Sequence, residues 1–164
     1  MNKAVNLLQQ YISDGQFQKA LMECKKLISN NPKETFLMKL LSHIYFLMEE
    51  YQEAVETSLK ILELDPNDFD SINNIGNYNV KLENFDEAQR YIEKAKQLNS
   101  NHPAPVQNSA EISMKKREFS NAAHELDLCI SLHEKYSDDY LKYKSTLILR
   151  IEVFIALKEQ DKAV

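Results

Sequence analysis

An all-α solenoid of helix–turn–helix units is the fold this sequence predicts, and three observations predict it. Aromatic residues recur every 34 positions, at Phe17, Tyr51, Phe85 and Phe119. An alanine follows each by three residues, at Ala20, Ala54, Ala88 and Ala122. Turn-forming residues gather between apolar-periodic runs, as in SDGQ, NNPK, LDPND and NSNHP. A fixed period of this length marks stacked supersecondary units, none of which can bury its apolar face alone.

The period divides the chain into repeats 1–34, 35–68, 69–102 and 103–136, followed by a partial fifth over 137–164. Leu7, Leu41 and Ile75 form an apolar column that Ser109 breaks, and Tyr11 and Tyr45 an aromatic one that ends at Asn79 and Ser113. Leu8, Ser42, Gly76 and Ala110 make a mostly small column, and Leu27, Ile61, Ala95 and Cys129 a small-to-medium apolar one. Within each repeat apolar residues recur at i, i+3, i+4 and i+7, the spacing of one helix face. Small alanines suit points where two helices touch, and the aromatic three residues earlier fills space between repeats. Pro32 and Pro66 close the first two repeats, while Pro103 and Pro105 suit the first turn of a helix, where no donor is lost. Helices are expected over 3–14, 17–30, 35–48, 51–64, 69–82, 85–98, 104–116 and 119–135.

These columns resemble the tetratricopeptide repeat. The second repeat carries Leu41, Tyr45, Tyr51, Ala54 and Pro66, and the third Ile75, Gly76, Phe85 and Ala88. The resemblance covers about residues 1–134 without a gap. It implies a right-handed helical superhelix of about four and a half repeats, with first helices lining a concave groove and second helices outside.

Beyond residue 136 the register shifts by seven. Phe154 then takes the aromatic column of a first helix and Ala163 the alanine column of a second. A long helix over 138–158 is expected, with a second helix starting near Gln160. Leu147, Ile151, Phe154 and Ile155 would lack a covering helix, and self-association through this helix is expected. The chain is read as the N-terminal piece of a longer protein; the alternative is that the long helix serves as its own cap.

The composition narrows the function. A formal charge of −5 argues against nucleic acid or an anionic membrane as partner. No run reaches the roughly 18 apolar residues of a membrane span, and the N-terminus lacks a signal peptide's apolar core. Cys24 and Cys129 are too few and too far apart for a disulfide framework, so a cytoplasmic location is expected. With two glycines no phosphate-cradling loop is available, and the four histidines have no metal-ligand spacing. Both cysteines sit on apolar helix faces, as small packing residues do. The carboxylates at Glu49, Glu50, Asp138 and Asp139 begin or end helices, where solvation or the helix dipole accounts for them. No catalytic residue, metal or cofactor is expected.

The inner columns implied by the resemblance are Asn6, Leu40, Asn74 and Asn108; Gln9, His43, Asn77 and Glu111; and Val5, Lys39, Asn73 and Gln107. An amide side chain carries both donor and acceptor, so this ladder either grips an extended peptide's backbone or stands solvated. Phe36, Leu40, Phe46 and Leu47 either form an apolar anchor pocket or pack on neighbouring helices. Some tetratricopeptide proteins clamp a C-terminal carboxylate with lysines and asparagines. Those slots hold Val5, Gln9, Leu40, Asp70 and Asn74 here, or one repeat later Lys39, His43, Asn74, Ala104 and Asn108, so a clamp is not expected. The asparagine column is similar to the groove of O-linked N-acetylglucosamine transferases, though Leu40 interrupts it. The leading expectation is a scaffold binding a peptide or protein segment in its groove. The alternative is a substrate-recruiting arm of a larger enzyme, such as a glycosyl- or other group-transferase. Helical-repeat RNA binding expects a basic groove, which the acidic charge opposes.

Overall fold

The computed structural model describes residues 2–136 and 140–162. Nine helices and no strand occur among them: α1 (Asn2–Ser13), α2 (Phe17–Asn30), α3 (Thr35–Leu47), α4 (Tyr51–Leu64), α5 (Phe69–Lys81), α6 (Phe85–Leu98), α7 (Pro103–Lys115), α8 (Phe119–Tyr136) and α9 (Tyr140–Lys162). The first eight fall within about two residues of their expected bounds, and none crosses Pro32 or Pro66. The helices group into two compact units, Met1–Leu82 and Glu83–Val164.

The alanine column does what its size allows. Ala20, Ala54, Ala88 and Ala122 are all fully buried, because a side chain of one methyl lets helix axes approach to about 8–10 Å. In the N-terminal unit Leu8, Ala20, Cys24 and Ile44 form one core cluster, joined by Tyr11, Ile12, Leu40, Leu41 and Met48. In the C-terminal unit Ala110, Ala122, Leu126 and Val153 form another, with Leu149 and Leu157 packed against it. Leu149, Val153 and Leu157 stand four residues apart, so a single stripe of α9 docks. Arg150 on α9 also pairs with Asp127 on α8, at 2.6 and 3.2 Å.

The repeat extends to backbone conformation. Gly15, Glu49, Glu83 and Arg117, each 34 residues after the last, have φ of 70, 61, 60 and 61°. This left-handed residue follows α1, α3, α5 and α7, and after α1, α3 and α7 it closes a Schellman turn. The N–H of Gln16, Glu50 and Glu118 reaches back to the carbonyls of Tyr11, Tyr45 and Ser113 at 2.8–2.9 Å. Glycine takes this conformation freely; for the other three the strain is about 1–2 kcal/mol. At the opposite turns, Asp68 caps α5 by accepting from the Ser71 N–H at 2.9 Å. His102 caps α7 through Nδ1, which accepts from the Ala104 N–H, with Pro103 at the first helical position.

One expected break is absent. No second helix starts near Gln160, because α9 runs unbroken to Lys162. The stretch IALKEQDK contains no glycine, proline or asparagine, although α3 and α7 end at MEE and KKRE without one as well. The expected start at 138 and the column position Ala163 lie outside the described residues, as do the capping positions Asp138 and Asp139.

Candidate functional site

In the N-terminal unit three first helices stand side by side. Leu8, Tyr11 and Ile12 of α1 share a core with Leu40, Leu41 and Ile44 of α3. Phe46 of α3 stacks on Tyr78 of α5 with centroids 5.2 Å apart. At 100° per residue, Phe36, Leu40, His43 and Leu47 fall within about 60° of arc on α3, Asn6 and Gln9 share a side of α1, and Asn74 and Asn77 a side of α5. The candidate face is therefore three strips: amides on α1, apolar residues with one histidine on α3, and amides on α5.

Exposure differs along these strips. Asn6, Gln9 and His43 are exposed, and Asn73, Asn74 and Asn77 are half-buried. The Asn77 carbonyl oxygen is buried and has no donor among the described residues. Phe36 stands 47% exposed at the head of α3, with Leu40 and Leu47 half-buried along the same side. The His43 ring stacks on Phe46 at 6.5 Å, and loss of water around it holds its pKa below the usual histidine value.

Four expected site residues serve the fold instead. Phe46 packs among His43, Tyr51 and Tyr78, so it is a packing residue and not part of an anchor pocket. Lys39 reaches the carboxylates of Asp68 and Asp70 at 2.6 and 3.0 Å, which ties α3 to the start of α5. Burial alone would lower its pKa, but the two carboxylates outweigh that and raise it. Its ammonium is therefore engaged within the fold by two carboxylates. In the C-terminal unit Gln107 accepts a hydrogen bond from Thr146 of α9 at 3.0 Å. Asn108 is 6% exposed and packed within the core. The ladder breaks at this buried residue.

The breaks in the sequence columns have structural causes. Ser109 and Ser113, which interrupt the apolar and aromatic columns, both donate to the Glu125 carboxylate, Ser113 at 2.7 Å. Asn79 ends the aromatic column and turns its amide to its own helix, donating to the Ile75 carbonyl at 2.9 Å. The cysteines are fully buried packing residues, as expected, and burial pushes the Cys24 thiol up to about 12. Tyr143 sets its ring edge on buried His133 and shares a hydrogen bond with Glu134 at 3.1 Å, a packing role.

Repeated helical hairpins with buried alanines define a helical-repeat protein by fold class. Residues 40–68 and 69–102 match the family model of the tetratricopeptide repeat. Those residues are two tetratricopeptide repeats, and the fold of the chain is that of tetratricopeptide-repeat proteins. No curated protein matches the chain in sequence. Among solved structures it is similar to MamA from Desulfovibrio magneticus RS-1, at 15% identity over 98% of this chain and 96% of that one, with a TM-score of 0.70. It is also similar to a tetratricopeptide repeat protein from Parabacteroides merdae, at 15% identity over 98% and 60% of the two chains and a TM-score of 0.77. A chain of the APC/C hetero-tetramer Cut9–Hcn1 matches at 16% identity over 96% and 31%, with a TM-score of 0.83. At these identities the likeness carries the fold alone. No helix among the described residues is long and apolar enough to cross a membrane.

Proposed function

We propose that the chain is a protein-interaction scaffold whose N-terminal unit holds an extended peptide or protein segment on the inner side of α1, α3 and α5. An apolar side chain of the ligand seats on Phe36, Leu40 and Leu47. The amides of Asn74 and Asn77 pair with its backbone, and Asn6 and Gln9 border it on the other side. The observation that carries this reading is the exposed phenyl of Phe36 in line with two half-buried leucines, beside a strip of amides. An apolar centre rimmed by groups that both donate and accept suits a peptide, whose backbone offers both in alternation. The Cut9–Hcn1 hetero-tetramer is an assembly of proteins, which supports a protein partner for the shared fold.

The test is selection of random peptides displayed on phage against the chain, followed by calorimetry with an enriched peptide. Replacing Asn74 and Asn77 together with alanine removes two hydrogen bonds, at about 0.5–1.5 kcal/mol each. Affinity is expected to fall roughly 5- to 150-fold. Phe36→Ala is expected to weaken binding while leaving the melting temperature nearly unchanged, because the ring is half exposed already. Unchanged affinity in both variants would move the site off this face.

A further inference from the structure

The fourth repeat is open where the second is filled. In the second repeat Leu41 packs on the core of the N-terminal unit, and the ring of Tyr45 lies beneath the Lys25 ammonium of α2, its centroid 5.4 Å away. Two periods later the same columns hold Ser109 and Ser113. Two short hydroxyl side chains stand there in place of a leucine and a phenol ring. A cleft of about 410 Å³ opens over them, bounded by α6, α7 and α8. Ser109, Ile112, Ser113 and Glu125 form its buried and half-buried floor, and Lys116 and Glu118 stand exposed at its mouth.

The floor has acceptor capacity to spare. Ser109 and Ser113 each donate their one hydroxyl proton to the Glu125 carboxylate. Ser109 also accepts from the Lys96 ammonium at 3.4 Å. A carboxylate can accept about four hydrogen bonds, so Glu125 keeps lone pairs for a donor from outside. A ligand ammonium drawn to Glu125 is opposed by Lys96 and Lys116. A ligand carboxylate is opposed by Glu125 and Glu118. The cleft therefore favours a neutral donor, and the space that a leucine and a tyrosine fill in the second repeat calls for one carried on a ring. A phenol supplies both, since its ring packs on Ile112 while its O–H donates to Glu125 in a charge-assisted bond.

We propose that this cleft is a binding site of the C-terminal unit, and that it takes a tyrosine side chain of a partner protein. It is built wholly from α6, α7 and α8, so it stands or falls independently of the face on α1, α3 and α5.

Titrating the isotope-labelled chain with N-acetyltyrosinamide, followed by amide NMR, tests it. Signals from Ser109 to Lys116 and from Asn121 to Glu125 should shift and saturate, with a dissociation constant on the order of 1–10 mM for so small a probe. The phenylalanine analogue, which lacks the donor, should bind several-fold more weakly, and N-acetyllysinamide should not bind. Glu125→Gln should weaken the tyrosine probe several-fold, because an amide oxygen is a poorer acceptor than a carboxylate. Ser109→Leu with Ser113→Tyr restores the residues of the second repeat and fills the cleft. It should abolish binding with the helical circular dichroism unchanged; if that pair does not fold, Glu125→Gln decides alone. No saturable shift at these amides by about 50 mM probe, equal binding of the two aromatic probes, or tighter binding of the lysine probe would overturn the proposal.

Discussion

Ser42 offers the sharpest test of the packing argument. By its column, with Leu8, Gly76 and Ala110, a change to alanine should be neutral, since the fourth repeat has alanine there. The structure says otherwise. The Ser42 oxygen lies 3.1 Å from the Ala54 carbonyl oxygen, 2.7 Å from the Ser58 hydroxyl and 3.1 Å from the Tyr78 phenol. All three side chains are buried, and burial pushes the phenol pKa up, so it keeps its proton. Ser42 has one proton to give. That proton is shared between the Ala54 carbonyl and the Tyr78 phenol oxygen, and the Ser58 hydroxyl can donate to the Ser42 oxygen. In Ser42→Ala, Ser58 can turn to the Ala54 carbonyl, four residues back on its own helix. The phenol has no such alternative, and a stranded buried hydroxyl costs about 1–3 kcal/mol. With the exchanged serine bond the loss should be about 2–3 kcal/mol, or roughly 5–10 °C in melting temperature. Tyr78→Phe should cost only about 1 kcal/mol. The double variant, which removes the stranded group, should be more stable than Ser42→Ala alone. Urea unfolding followed by far-UV circular dichroism on all three variants decides the matter. Simple additivity of the two losses, or a Ser42→Ala variant no weaker than Tyr78→Phe, would refute the reasoning.

Acid should act through the Asp68 carboxyl. Burial alone would raise its pKa, but Lys39 and the hydrogen bonds from Ser71 outweigh this and hold it below the ordinary 3.8. A pKa lower in the folded than in the unfolded state gives stability that is full above the ordinary value and is lost as pH falls through the folded one. Denaturation midpoints should therefore drop below about pH 4, and Asp68→Asn should flatten that drop; an equal slope in both proteins rejects the role. At the left-handed turn position, Glu49→Gly should stabilise by up to about 1 kcal/mol, as relief of strain slightly exceeds glycine's entropy cost. Gly15→Ala should destabilise by about 1 kcal/mol although nothing stands within 4 Å of the added methyl. A loss of stability in Glu49→Gly would count against the strain argument.

The class of fold and nearly every helix boundary among the first eight helices are legible in local sequence pattern. The 34-residue recurrence, the alanines and the turn residues are local signals, and a repeat packs mainly against its neighbours, so local pattern and tertiary packing coincide. The same local logic misplaced the last break, because a register shift of seven set an expected turn near Gln160 where IALKEQDK has only helix-forming residues. The candidate site was legible as columns and not as surfaces. Asn74 and Asn108 occupy one column, yet one is half-buried and the other is only 6% exposed. Lys39 reads as a ligand-binding cation until Asp68 and Asp70, about thirty residues on, arrive beside it. Ser42 reads as one member of a small column, and Ser109 and Ser113 as breaks in an apolar and an aromatic column, until their partners across the helix contacts are known. Which polar groups spend their hydrogen bonds inside the fold and which keep them for a partner is decided by contacts between distant residues. A periodic pattern records which face a residue lies on, and only the packed structure records what stands opposite it.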